Sequence, residues 1–205
     1  MDSVYDERYR QSGCYWGRKP ASNCYKVLEL MPPERPLRLL DIGCGEGRNA
    51  VFFARNGYHV TAFDVLPIGV EKTRQMAAEA SVTIEVFQAD LNEFRLTAPF
   101  DIVFSSGTLH YMLPERRAEI LENYKRFTSD NGLHVFSVFV RKPFIPPAPD
   151  TESTARFWIS GELFTHYHDW KIEFCTEAIF DCASGGVPHQ HASNRMIARK
   201  VAGPP

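Results

Sequence analysis

The chain has 205 residues, 44% of them hydrophobic and 23% charged, with a formal net charge of −2 at pH 7 and a pI near 6.4. That length buries one core of ordinary size and leaves little for a second, so a single domain over residues 1–205 is expected. The charge offers no field for a phosphate backbone and no apolar stretch reaches bilayer length, which excludes nucleic acid and membrane as expected partners.

The first residues are polar and partly acidic, unlike a secretory signal, which points to a cytoplasmic location. Five cysteines at 14, 24, 44, 175 and 182, with no C-x-x-C pair, fit reduced thiols without a structural bridge. Tyr5, Tyr9, Tyr15 and Trp16 then place four aromatics in twelve residues. Two readings are open: Tyr15 and Trp16 cover a cationic ligand, or an N-terminal helix packs its aromatics on the sheet edge.

A largely apolar run over 37–40 predicts a strand, followed by Asp41-Ile42-Gly43-Cys44-Gly45-Glu46-Gly47-Arg48. Glycine at alternate positions allows positive φ and lets the main chain lie against a ligand. A helix over 48–56 ends at Gly57, and a strand over 59–63 leads to Asp64, twenty-one residues after Gly43. An acid there suits the two hydroxyls of a ribose. The third glycine of a dinucleotide loop is replaced by Arg48, which disfavours NAD. Asp41 and Asp64 also suit helix capping, a compatible role.

Pro67 opens a helix with Val70, Thr73, Ala77 and Ala80 on one face; a strand over 84–88 precedes Asp90, which also fits a plain turn. A strand over 100–105 follows, then a helix from Pro114 with Ile120, Leu121, Tyr124 and Phe127 inward. Asn131-Gly132 is expected to turn the chain into a strand over 133–140. After a stiff proline stretch at 143–149 come a short helix over 160–167 and strands near 171–175 and 191–199. Such alternation builds a parallel sheet covered on both faces.

The Asp-x-Gly-x-Gly-x-Gly loop resembles motif I of the class I S-adenosylmethionine (SAM) methyltransferases, and Asp64, Asp90 and the strand over 100–105 follow in that family's order. The resemblance implies a Rossmann-like α/β fold, with a seven-stranded, mostly parallel sheet, an antiparallel last strand and helices on both faces. It implies S-adenosyl-L-methionine as cofactor and S-adenosyl-L-homocysteine as product. It sets Asp41, Gly43, Cys44, Gly45, Arg48, Asn49, Asp64, Val65, Asp90, Leu91 and Ser105 at the cofactor.

Further stretches are similar to the tellurite-resistance (TehB-like) group and its thiol-methylating relatives: Gly47-Arg48-Asn49, Asn56-Gly57-Tyr58, Asp90-Leu91-Asn92, Gly161-Glu162-Leu163, His166-Tyr167 with Trp170, and the ending Met196-Ile197-Ala198-Arg199-Lys200. The group moves the methyl to tellurium or selenium oxyanions or to small thiols. A His and an Arg near its C-terminus are assigned to the substrate; by offset that His falls near Cys182, and the histidines nearby are His189 and His191.

If the segment is extended, His189 and His191 share one face. They read as a metal half-site, a base with its orienter, an anion-recognising rim, or exposed loop histidines; the working expectation is no metal. His110 and Tyr111 lie just past the fourth strand at the rim where parallel sheets bind ligands, with helix-start packing the alternative for His110. Phe144 and Trp158 belong to a bulky stretch expected to act as a substrate lid over 143–170, while residues 1–30 form an aromatic cap. The expected activity is SAM-dependent methylation of a small thiol or chalcogen oxyanion, by a monomer or homodimer. O- or N-methylation of a metabolite, and a SAM-binding regulator without catalysis, are the alternatives.

Overall fold

The structure, a computed structural model, describes residues 4–148 and 154–202. Pro149 and the rest of 149–153, part of the expected lid, lie outside the described residues, as do the chain's first three and last three positions.

Seven strands form one sheet: β1 (Arg38–Ile42), β2 (His59–Asp64), β3 (Glu85–Gln88), β4 (Phe100–Ser106), β5 (Thr128–Val140), β6 (Lys171–Cys182) and β7 (His189–Arg199). Their order is β3-β2-β1-β4-β5-β7-β6. The first five are parallel and β7 runs antiparallel to both β5 and β6, as the sequence implies. The helices are α1 (Val4–Arg10), α2 (Ser22–Leu30), α3 (Arg48–Arg55), α4 (Pro67–Glu79), α5 (Arg117–Arg126) and α6 (Glu162–Thr165). Among the described residues no helix is long and apolar enough to cross a membrane.

Alternation along the strands builds a core on each face. Leu40 and Ile42 of β1 join Ile120, Leu121 and Tyr124 of α5, while Leu39 joins Val27 of α2 and Ala50 and Phe53 of α3. A strand buried on both sides is apolar along most of its length, and β1 is buried from Leu39 to Ile42 with only Arg38 at its exposed start. Helix α4 adds Met76 and Ala77 against Val51. Its Pro67 sits in the first turn, where a missing N–H leaves no helical bond unmade.

Two boundaries differ from the sequence reading. The Asn131-Gly132 turn lies inside β5: Asn131 takes φ 62°, and pairing with β4 jumps from Phe100↔Thr128 to Ile102↔Leu133. The extra residues bulge out, and the Lys200 N–H bonds to the Gly132 carbonyl at 2.9 Å. The last two strands extend into one long hairpin, paired from Lys171↔Arg199 to Cys182↔His189.

Behind β5, His134 is fully enclosed. Its Nε2 lies 2.8 Å from the Thr128 hydroxyl and its Nδ1 2.6 Å from the Tyr167 hydroxyl. Burial pushes the imidazole down to about 3, so it is neutral at pH 7. Trp158, Leu163, Tyr167 and Trp170 are buried in this same core. Much of the described lid segment is therefore wall.

Candidate functional site

The sheet order reverses between β1 and β4, the switch point at which open α/β sheets bind ligands. A cleft of about 980 Å³ opens there, running from the aromatic N-terminal segment past the glycine loop to β7.

The loop side is built from β1 and β2. Gly43 and Gly45 take φ of +67° and +55°; a Cβ on Gly43 would lie 2.2 Å from Thr108 Cγ2, and one on Gly45 2.9 Å from the Tyr9 hydroxyl. The backbone is thus threaded between Thr108 and Tyr9 with no room for a side chain. Asp64 holds the loop from β2: Oδ2 accepts the Gly45 N–H at 2.8 Å and Oδ1 the Leu66 N–H at 2.9 Å. Burial raises its carboxyl and those N–H groups oppose the shift. Both oxygens retain a lone pair for further donors.

Asp41 sits beneath the loop, 1% exposed, with Oδ2 lacking a hydrogen-bond partner among the described residues. Its carboxyl is pushed up to about 7 by burial first and by the charge of Asp64, against Arg48 and the Ala50 N–H. It does not line the cleft directly; Ser105, which bonds the Ile42 carbonyl at 3.0 Å, is likewise a strand tie. Gly43, Cys44, Gly45, Arg48, Asn49, Asp64, Val65, Asp90 and Leu91 all line it. Asp90 Oδ1 accepts the Asn92 N–H at 2.8 Å, so the turn and the rim position hold together.

The N-terminal segment is tied to the loop by residues beside it. Glu46 accepts the Trp16 N–H at 3.2 Å and pairs with Lys72 at 2.9 Å, while Arg48 donates to the Trp16 carbonyl at 2.9 Å. The Trp16 indole N–H reaches the Tyr9 hydroxyl at 3.1 Å. Tyr5, Tyr9 and Trp16 line the cleft; Tyr15 does not, standing edge-on to Trp16 at 4.8 Å.

Across the cleft, His110 lies 4.3 Å from the Tyr111 ring and 4.9 Å from Phe139. It is buried, its Nδ1 has no hydrogen-bond partner among the described residues, and burial first, then His191 and Arg117, bring it down to about 3. At pH 7 it is a neutral imidazole. His191 stacks on Phe139 at 4.7 Å, and its Nε2 faces His189 Nε2 at 2.9 Å. The two histidines do share a face, though only His191 lines the cleft.

Two expected substrate contacts are elsewhere. Phe144 is 70% exposed and absent from the cleft wall. Trp158 is fully buried, donating to the Leu109 carbonyl at 3.0 Å beneath the Arg117 guanidinium. A large indole that can satisfy its N–H inside the core gains more from burial than from a lid position. Tyr9 of the N-terminal aromatics, Arg156 of the expected lid and Cys182 at the family's histidine offset also line the cleft, with Thr108 and Arg195, which the sequence expectations did not single out. Extending the period-two alternation from His191 reaches Ser193 and Arg195, so that signal was present. The hairpin register then sets Cys182 opposite His189.

Comparison with known proteins agrees with this geometry. Residues 39–132 match a family described as a methyltransferase domain. The chain is 26% identical over 177 residues to "Hemagglutinin 1" of Eikenella corrodens, covering 85% of this chain and 58% of that one. It is 26% identical over 138 residues to "Probable S-adenosyl-L-methionine-dependent methyltransferase TehB" of Haemophilus influenzae, covering 67% and 47%. The chain thus spans about half the length of the curated relatives it matches. Its fold is similar to the crystal structure of TehB from Haemophilus influenzae, with a TM-score of 0.76, 20% identity, and 96% of this chain and 65% of that one covered.

Proposed function

We propose, from the premise that this chain belongs to the class I SAM-dependent methyltransferases of TehB-like type, that it moves the SAM methyl to a small thiol or a tellurium or selenium oxyanion. The residues fit the cofactor. Asp41, enclosed beneath the loop with its Oδ2 unpartnered among the described residues, sets a carboxyl group under the methionine end, and the lone pairs left on Asp64 suit the ribose hydroxyls. Val65, half exposed on the cleft, and Leu91 offer apolar contacts for the adenine, with Asp90 at its rim. Residues 1–30 serve as the aromatic cap, Tyr5, Tyr9 and Trp16 facing the sulfonium end.

Bound SAM supplies a methyl on a positively charged sulfur, already electrophilic. The chain's task is then to hold a nucleophile in line and keep water out. The observation that carries the acceptor reading is the composition of the far wall: Arg156, Arg195, His191 and the neutral His110 line one cleft. Two cations attract an anionic acceptor, and His110, held neutral by burial, adds no charge and offers an unpartnered ring nitrogen for a hydrogen bond.

The test is product detection with a panel of small thiols, selenite and tellurite, in wild type and in Arg195→Met. Turnover of a panel member, with a KM raised about tenfold or more in Arg195→Met, is expected for a lost charge-assisted contact. Turnover only with neutral hydroxyl or amine acceptors, indifferent to Arg195, would contradict the reading.

A further inference from the structure

The β6–β7 hairpin ends in the register pair Cys182↔His189, closed by a single 3₁₀ turn at Ser184–Gly186. Antiparallel pairing across that end brings one thiol and two imidazoles together. One potential ligand atom each from Cys182, His189 and His191 lies within 4.8 Å of the others. His189 Nδ1 is 2.7 Å from the Val187 carbonyl, which can only accept. In neutral His189 the proton is therefore on Nδ1, and Nε2 presents its lone pair to His191 Nε2 at 2.9 Å. Metal-binding histidines are oriented in this way, by a backbone carbonyl on the nitrogen away from the ion.

We propose that Cys182, His189 and His191 form a binding site for a zinc-class divalent cation. Sequence spacing offers two of these ligands; the hairpin supplies the third, and the proposal replaces the expectation of no metal. A thiolate with two imidazoles suits zinc and does not suit the hard, oxygen-seeking magnesium or calcium ions. Tetrahedral zinc with Zn–N bonds of about 2.0–2.1 Å sets its nitrogens roughly 3.3 Å apart, so the two imidazoles must separate by a few tenths of an ångström. The ion takes the place of the hydrogen they share. The Cys182 thiol lies 3.2 Å from the Ser184 hydroxyl, a contact that can turn round to donate to a thiolate. Deprotonated Cys182 supplies negative charge on a wall that Arg156 and Arg195 also line.

Three protein ligands leave a fourth position, the arrangement of zinc sites that take up a water or substrate. Cys182 and His191 line the cleft and His189 lies behind them, so that position faces the acceptor side. Holding an acceptor thiolate or oxyanion there is a consequence that rests on the acceptor reading above; metal binding does not.

The test uses the full chain, stripped with a chelator and titrated with zinc against a chromophoric competitor, and separately with cobalt to read the thiolate-to-metal charge-transfer band. One ion per chain is expected, weakened at least about tenfold in Cys182→Ser and in His189→Ala. Cys175→Ser, at an exposed cysteine, leaves binding unchanged. The charge-transfer band should vanish in Cys182→Ser. Binding of S-adenosylhomocysteine, measured on every variant, reports that each is folded and keeps this test separate from the cofactor assignment. Absence of saturable binding to the wild type, or unchanged affinity and a persistent cobalt band in folded Cys182→Ser, overturns the site.

Discussion

Replacing Asp41 by Asn should stabilise the ligand-free protein at alkaline pH while weakening cofactor binding. Burial and the Asp64 charge raise the Asp41 carboxyl from 3.8 to about 7. The folded state therefore holds a proton that the unfolded chain has released. Its favourable contribution is complete below pH 3.8 and is lost as pH rises through 7. The full window spans roughly three pH units at about 1.4 kcal/mol each, on the order of 4 kcal/mol. Between pH 5.5 and 8 about 2 kcal/mol of it falls away. Neutral Asn keeps the shape and accepts the Ala50 N–H without carrying that charge.

Urea denaturation of both proteins at the two pH values measures the effect as a difference. This cancels His110 and His134, whose depressed values act in the opposite sense: their contribution is complete above pH 6.5 and is lost as pH falls toward 3. The wild type should lose about 2 kcal/mol relative to Asp41→Asn on going from pH 5.5 to 8. S-adenosylhomocysteine should narrow the difference, because a positive ammonium bound at the loop favours the charged form of the carboxyl beneath it. Equal pH slopes in the two proteins would refute the reasoning.

His110→Ala should raise the acceptor KM by about tenfold, the measure of one lost hydrogen bond in the cleft, with S-adenosylhomocysteine affinity kept within about threefold; a parallel loss of affinity would make it a packing residue. Gly45→Ala places a Cβ 2.9 Å from the Tyr9 hydroxyl at φ +55°. It should cut cofactor affinity at least about tenfold, the measure of roughly 1–2 kcal/mol of left-handed strain, and unchanged affinity in calorimetry would contradict the close approach of Tyr9. Tyr167→Phe leaves His134 Nδ1 without its 2.6 Å partner and should cost about 1–3 kcal/mol in urea denaturation with kcat unaltered. A change in kcat would tie that core network to the site.

Sequence carried the cofactor side of the cleft because its signals are local. The glycine loop, Asp64 and Asp90 each sit at a strand end, where a few adjacent residues decide both conformation and chemistry. The acceptor side was legible only in part. His191 and His110 stand out as rare residue types and Arg195 follows from strand alternation, whereas Arg156 reaches the cleft through its N–H bond to the distant His110 carbonyl and Cys182 through the hairpin register. Phe144 and Trp158 show the converse limit. Both are bulky and follow the fifth strand, but burial against Leu109 and Arg117 claims Trp158, and Phe144 remains in solvent. Strand pairing also explains the shifted boundaries, since Asn131 keeps its turn-like φ while neighbouring ladders absorb it as a bulge.

On the proposed reading, the glycine loop between β1 and α3 holds SAM together with Asp41 and Asp64. Calorimetric titration of the purified chain with S-adenosylhomocysteine, with NAD as control and Asp64→Ala alongside, tests it most directly. Saturable binding of one S-adenosylhomocysteine per chain, none of NAD, and a clear loss of affinity in Asp64→Ala is the predicted result. No binding, or affinity indifferent to Asp64, would contradict the assignment of the loop.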